Sequence, residues 1–235
     1  MKNVSKRKEL NMEYIKLENL TKKIKGNIVL DKINIEFQKG KIYGIQGHNG
    51  CGKTMLLRAI AGLIVPTTGN VIIDGKIIHK DIDFPPKVGV LIENPMFWKN
   101  YTLKATLKTL ASIKNEIGDK EIEDAIERVG LKGKEQTLIR KFSLGMRQRL
   151  GIAQAIMEKH DLLLLDEPTN ALDTDGNQRL EQILKEEKSN GTTIIVVSHS
   201  LEWLTDLCDE TITMENGKIL KKQTKYTKKG DDLSA

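Results

Sequence analysis

Gly47-His48-Asn49-Gly50-Cys51-Gly52-Lys53-Thr54 lies between an alternating apolar run, KIYGIQ (41–46), and a helix-compatible run, MLLRAIAGL (55–63). It fits the pattern Gly-x-x-x-x-Gly-Lys-Thr of phosphate-binding loops, in the strand-then-helix setting that the pattern needs. Glycines at 47, 50 and 52 let the backbone turn sharply and bring its N–H groups up to a polyphosphate. The helix that follows directs its positive end at the same charge. Lys53 is expected to reach the outer phosphates and Thr54 to offer its hydroxyl to Mg²⁺. His48, Asn49, Cys51 and Met55 complete the segment predicted to contact the nucleotide.

Upstream, YIKLENL and IVLDKINIEFQKG read as strands of a small antiparallel region, the second alternating through Ile33, Ile35 and Phe37 before the turn at Lys39-Gly40. Downstream, NVIIDGKII predicts a hairpin with Asp74-Gly75 at its tip. VGVLI, followed by Glu93, predicts a short buried strand that stops before Pro95. From about Leu103 to His160 the periodicity is helical; in KEIEDAIERVG, Ile122, Ile126 and Val129 share one face. DLLLLDE (161–167) and TTIIVVSH (192–199) then predict strands buried on both faces, as in a parallel sheet. The expected fold is α/β in one domain: a phosphate-loop NTPase core over about 14–93 and 160–222, with an N-terminal antiparallel β region and a helical insertion over about 94–159. Residues 1–11 and 223–235 are expected to be polar tails. Ligands of open α/β sheets bind beyond the carboxyl ends of strands, so Gly47, Glu93, Asp166 and His199 are expected to converge.

Composition narrows the class. Of 235 residues, 39% are apolar and 30% charged, a soluble globular balance, and no run approaches the roughly 20 apolar residues that span a bilayer. The N-terminal stretch MKNVSKRKEL has no apolar core of a secretion signal, so a cytoplasmic location is expected. The net charge of +6 is concentrated at the ends, in Lys2, Lys6, Arg7 and Lys8 and in six lysines after residue 217, so it does not point to nucleic acid. Cys51 and Cys208 are too few for a disulfide framework and have no ligand partners at metal spacing. Cys51 reads either as a thiol whose modification blocks the loop or as a small tolerated side chain.

At the end of LLLLDE, Asp166 is placed to hold Mg²⁺ and Glu167 to act as the base on an attacking water. With these motifs in hand, the chain resembles the nucleotide-binding subunits of ATP-binding cassette (ABC) transporters over about residues 14–222. The most specific element is FSLGMRQRL (142–150), similar to the family signature Leu-Ser-Gly-Gly-Gln followed by Gln-Arg. On physical grounds Ser143 can cap the helix that runs through RQRLGIAQAI, with Gly145 in its first turn. The resemblance implies an ABC-type core and ATP hydrolysis with Mg²⁺. It also implies head-to-tail pairing with an identical or related subunit, so that Ser143 and Gly145 of one copy meet the γ-phosphate bound to the other. It implies membrane permease partners, hence a peripheral place on the inner face of the cell membrane. NALD (170–173) looks like the loop that crosses between subunits, and His199 like the switch histidine at the γ-phosphate.

Three departures carry information. The family usually has Gln where this chain has Glu93, a third acid beside Asp166 and Glu167, expected to contact Mg²⁺, couple the site to the membrane partner and change the ATPase rate. The aromatic residue that stacks on adenine is replaced by Ile24. Leu144 and Met146 replace the signature's first Gly and its Gln, and backbone N–H groups tolerate both changes. Glu93 with SLGMRQRLGIA is similar to subunits that protect bacteria from bacitracin and lantibiotic peptides. Two other readings remain: a non-transport ABC protein on ribosomes or DNA, though the chain has neither two cassettes nor a long coiled-coil insertion, and a low-turnover nucleotide-binding regulator.

Overall fold

A computed structural model describes residues 13–93 and 95–225. The N-terminal stretch 1–11 and residues 226–235, read above as tails, lie outside the described residues. Gln223 and Thr224 do not belong to a tail: they are the last residues of a strand, described below.

Two sheets carry the chain. The first is antiparallel, in the order β2-β1-β4-β5, from β1 (Glu13–Ile24), β2 (Asn27–Gln38), β4 (Thr68–Ile73) and β5 (Lys76–Ile77). Its alternation is that of a half-buried sheet: Ile15, Leu17, Leu30, Ile33, Phe37 and Val71 are buried. The second sheet has the order β10-β9-β3-β8-β7-β6. Its strands are β3 (Ile42–Gln46), β6 (Val88–Leu91), β7 (Leu162–Asp166), β8 (Thr193–Val197), β9 (Glu210–Glu215) and β10 (Lys218–Thr224). All pairings are parallel except β9 with β10, which turn back on each other at Asn216-Gly217, both with positive φ.

Continuous apolar runs in β7 and β8 serve two interiors at once. Leu163, Leu165, Ile194 and Val196 enter one core, and Leu162, Leu164, Ile195 and Val197 enter the other. The second core lies between the sheets and includes Leu56, Leu57 and Ile60 of α1 (Lys53–Ile60), which follows β3. The first is covered by the remaining helices. Between β6 and β7 the chain forms α2 (Leu103–Ala111), α3 (Asp119–Arg128), a 3-10 turn (Ile139–Lys141) and α4 (Leu144–Ile156). Ile122, Ile126 and Val129 all enter this core, as their spacing predicts. It is completed by α5 (Thr174–Ser189) and α6 (Leu201–Leu207).

Packing between α4 and β6 is tight enough to require glycine. A Cβ on Gly89 would overlap the Ala155 carbonyl and come within 2.7 Å of the His160 ring. That histidine is only 8% exposed, and its Nδ1 has no hydrogen-bond partner among the described residues. Burial pushes its pKa down to about 4; the Glu158 carboxylate opposes the shift and the Lys114 ammonium adds to it. The folded chain therefore holds a neutral imidazole where the unfolded chain takes up a proton, so stability present above pH 6.5 is lost as pH falls towards 4. Between pH 7 and 4.5, denaturant unfolding of the wild-type chain should show a loss about 2–3 kcal/mol larger than that of His160→Phe. Equal losses would show that the imidazole is not held neutral.

Candidate functional site

The carboxyl ends of β3 and β7 open onto a cleft of about 610 Å³. Its floor is the turn from β3 into α1: Asn49, Gly50, Gly52, Lys53, Thr54 and Met55 line it. Gly47 begins this turn at φ 154°, where a Cβ would strike the Met214 carbonyl and approach the Cys51 sulfur at 2.7 Å. Only glycine fits there, so the loop's first position is fixed by the strand beside it. Cys51 is 1% exposed and packs inward in the core between the sheets. Of the two readings of its thiol, the small buried side chain agrees with this packing. His48 is exposed and turns its Nδ1 to the Asn49 carbonyl at 2.9 Å.

The ionisable groups are already organised. Lys53, 7% exposed, folds back to donate to the carbonyls of Gly47 (2.8 Å) and His48 (3.1 Å). Thr54 Oγ1 donates to Asp166 Oδ2 at 2.7 Å, which joins the first turn of α1 to the end of β7. Burial raises the Asp166 pKa; the Thr54 hydrogen bond opposes this, the neighbouring Glu167 charge adds to it, Lys53 opposes and Glu93 adds. Glu167 has positive φ (48°), with its N–H anchored to the Val197 carbonyl at 2.9 Å. Its Oε2 accepts from His199 at 2.9 Å through Nδ1, so β7 and β8 deliver the acid and the imidazole as a pair. Among the described residues no group of three or more His, Cys, Asp and Glu could hold a metal ion. A hydroxyl and one carboxylate suit a hard cation that completes its shell with phosphate and water, so this donor set fits Mg²⁺ on a nucleotide.

Glu93 and Ile24 take different positions. Glu93 does line the cleft, but its Oε1 meets Arg58 Nη2 of α1 at 2.6 Å. There the adjacent guanidinium attracts Glu93 while Asp166 and Glu167 repel it. Ile24 sits at the end of β1, opposite Asn27 and 38% exposed, and is not among the residues that line the cleft. The aliphatic wall is supplied by Val29 of β2.

Ser143 and Gly145 do not face Lys53 in the same chain. They line a second pocket of about 320 Å³ with Met146, Arg149, Ala171 and Asp173, and Ser143 Oγ caps α4 by accepting from the Met146 N–H at 3.1 Å. One residue that the sequence reading missed ties the two clefts. Gln148, 5% exposed, leaves α4 to donate to the carbonyls of Glu167 (3.3 Å) and Pro168 (3.1 Å), and it also lines the first cleft. A lone glutamine in a helix gives no such signal, since most are exposed.

Comparison with known proteins gives the same answer as the geometry. The family model described as ABC transporter matches residues 30–170. The chain belongs to the ABC transporter family. Among curated relatives, an "Uncharacterized ABC transporter ATP-binding protein YybJ" of Bacillus subtilis is 52% identical over 205 residues, covering 87% of this chain and 94% of the relative. A "Bacitracin transport ATP-binding protein BcrA" of Enterococcus faecalis is 40% identical (92% and 74% covered), and a "Lantibiotic transport ATP-binding protein SrtF" of Streptococcus pyogenes 35% (88% and 89%). The solved dimeric structure of MJ0796, a bacterial ABC transporter cassette, shares the fold with a TM-score of 0.82 at 24% identity, covering 91% of this chain and 99% of that one. This ABC protein is an ATP-binding subunit and an ATP hydrolase. No helix among its described residues is long and apolar enough to cross a membrane.

A buried acid next to Glu167 costs the nucleotide-free ABC subunit stability. Because the folded pKa of Asp166 lies above its unfolded value, stability falls as pH rises through the carboxylate range and stays reduced at neutral pH. Asp166→Asn keeps an acceptor for Thr54 and removes the charge. It should raise Tm at pH 7.5. That gain should disappear in melts near pH 3, and a lower Tm at pH 7.5 would reject the account.

Proposed function

We propose that this subunit powers the export of an antimicrobial peptide: two copies, or one copy and a related subunit, enclose ATP and drive separate membrane permeases. The observation that carries this reading is the separation of the two clefts. Lys53, Thr54, Asp166 and Glu167, the last bonded to His199, line one, Ser143 and Gly145 the other, and each looks like half of a nucleotide site that a second chain completes. In this reading, Thr54 and Asp166 hold Mg²⁺, which when bound offsets the phosphate charge. Glu167 orients and deprotonates the attacking water while His199 keeps its carboxylate in place. The capped start of α4 presents backbone N–H groups to the nucleotide of the facing chain. The peptide class follows from the bacitracin and lantibiotic transport relatives.

Beyond Glu93, Met96 is 93% exposed, and Trp98 and Tyr101 pack tilted rings 5.4 Å apart while each remains about half exposed. An apolar and aromatic surface beside the cleft supports docking of a permease there. The test has two parts. ATPase activity should rise faster than linearly with protein concentration as copies pair, and the chain co-expressed with a matching set of membrane permeases should raise the peptide concentration that a susceptible host survives. Activity strictly proportional to concentration would reject pairing; no protection by any permease combination would reject the peptide class.

A further inference from the structure

We propose that Arg58 is a positioning residue: its ion pair with Glu93 holds that carboxylate away from Asp166 and Glu167, and so sets the Mg²⁺ concentration that the nucleotide cleft needs. This rests on the reading of the cleft as a Mg²⁺–ATP site. Arg58 stands one helical turn after Thr54 on α1, so the same short helix carries the hydroxyl at the cleft floor and the guanidinium at its rim. Its Nη2 is 2.6 Å from Glu93 Oε1, and Glu93 leaves the end of β6 with φ +61°.

The other charges facing the cleft have partners of their own. Lys53 is turned to loop carbonyls, Glu167 accepts from His199, and Asp166 accepts from Thr54. Among the described residues, Arg58 is therefore the cation that compensates Glu93. The charge of Glu93 is felt inside the cleft, as it contributes to the raised Asp166 pKa. Because Glu93 is 59% and Arg58 33% exposed, the pair adds little to folding stability. Its effect is on the local field. Without the guanidinium, an uncompensated carboxylate at the cleft rim attracts a divalent cation more strongly. A family position that is usually Gln thus carries an acid here, and Arg58 supplies the compensation.

The experiment titrates Mg²⁺ into the full chain held with a saturating non-hydrolysable ATP analogue, read by the fluorescence of Trp98, five residues beyond Glu93. Trp203→Phe leaves Trp98 as the sole tryptophan. Thermal melts of the chain without that change, over the same Mg²⁺ series, give an independent midpoint. Arg58→Ala should lower the Mg²⁺ midpoint about three- to tenfold, and Arg58→Lys should stay near wild type. In a Glu93→Gln background, Arg58→Ala should have no further effect. An unchanged midpoint in Arg58→Ala, or an equal shift with Glu93→Gln present, overturns the proposal while the nucleotide site stands. Absence of analogue binding to the wild-type chain by equilibrium dialysis overturns both.

Discussion

Glu167→Gln is expected to lower the steady-state ATPase rate by at least about 100-fold while changing nucleotide affinity by less than about threefold, because general-base contributions run to 10²–10⁴. The amide keeps the shape of the side chain and an oxygen that can accept from His199 Nδ1, as the carboxylate does at 2.9 Å. It cannot take a proton from water. Single-turnover hydrolysis separates chemistry from product release, and the loss should appear there in full. If two copies enclose the nucleotide, the variant should also accumulate as a dimer with Mg²⁺–ATP on size exclusion. A variant that hydrolyses at the wild-type rate would move the base to another residue.

Lys53→Ala has the second large expected effect, this time on binding. A charge-assisted bond to phosphate contributes about 2–3 kcal/mol, so ATP affinity by equilibrium dialysis should fall about 30- to 150-fold. Nucleotide-free stability should hardly move. The two bonds from Lys53 go to the carbonyls of Gly47 and His48, both outside the buried core, where water can replace the ammonium. Lys53→Arg is not expected to restore binding, because a planar fork does not fit a site shaped for a compact point charge. A Tm drop above about 5 °C in Lys53→Ala would mean that the lysine is a structural clamp on its loop.

Much of this architecture was legible in the sequence, and the reasons differ by element. The loop at Gly47–Thr54 was readable because phosphate contact by backbone leaves few residue choices; the strands β7 and β8 were readable because burial on both faces demands uninterrupted apolar runs. The helix α5 was not singled out: its core stripe is only Leu180, Ile183 and Leu184 among charged and amide residues, with Gly176 in the first turn. The hairpin of β9 and β10 was hidden by lysine density, although Asn216-Gly217 is a strong turn signal.

At the site, the acids at 166 and 167 were legible from their position after four leucines. The partner of Glu93 was not, since Arg58 reaches it only because α1 packs on β7, the neighbour of β6 in the sheet. Ile24 lies off the cleft lining for a similar reason. Pairing to Asn27 across a tight turn puts it at the hairpin tip, and Val29 on the returning strand takes the cleft side.

The lysines of β10 bear on how copies of this chain meet. Lys218, Lys221 and Lys222 stand on the terminal strand of the six-stranded sheet, Lys218 paired with Asp31 and Lys222 with Glu210. Two such borders brought edge to edge would set ammonium groups against each other, which discourages growth of a continuous ribbon from molecule to molecule. The same charges oppose filament growth through this border when the protein is concentrated.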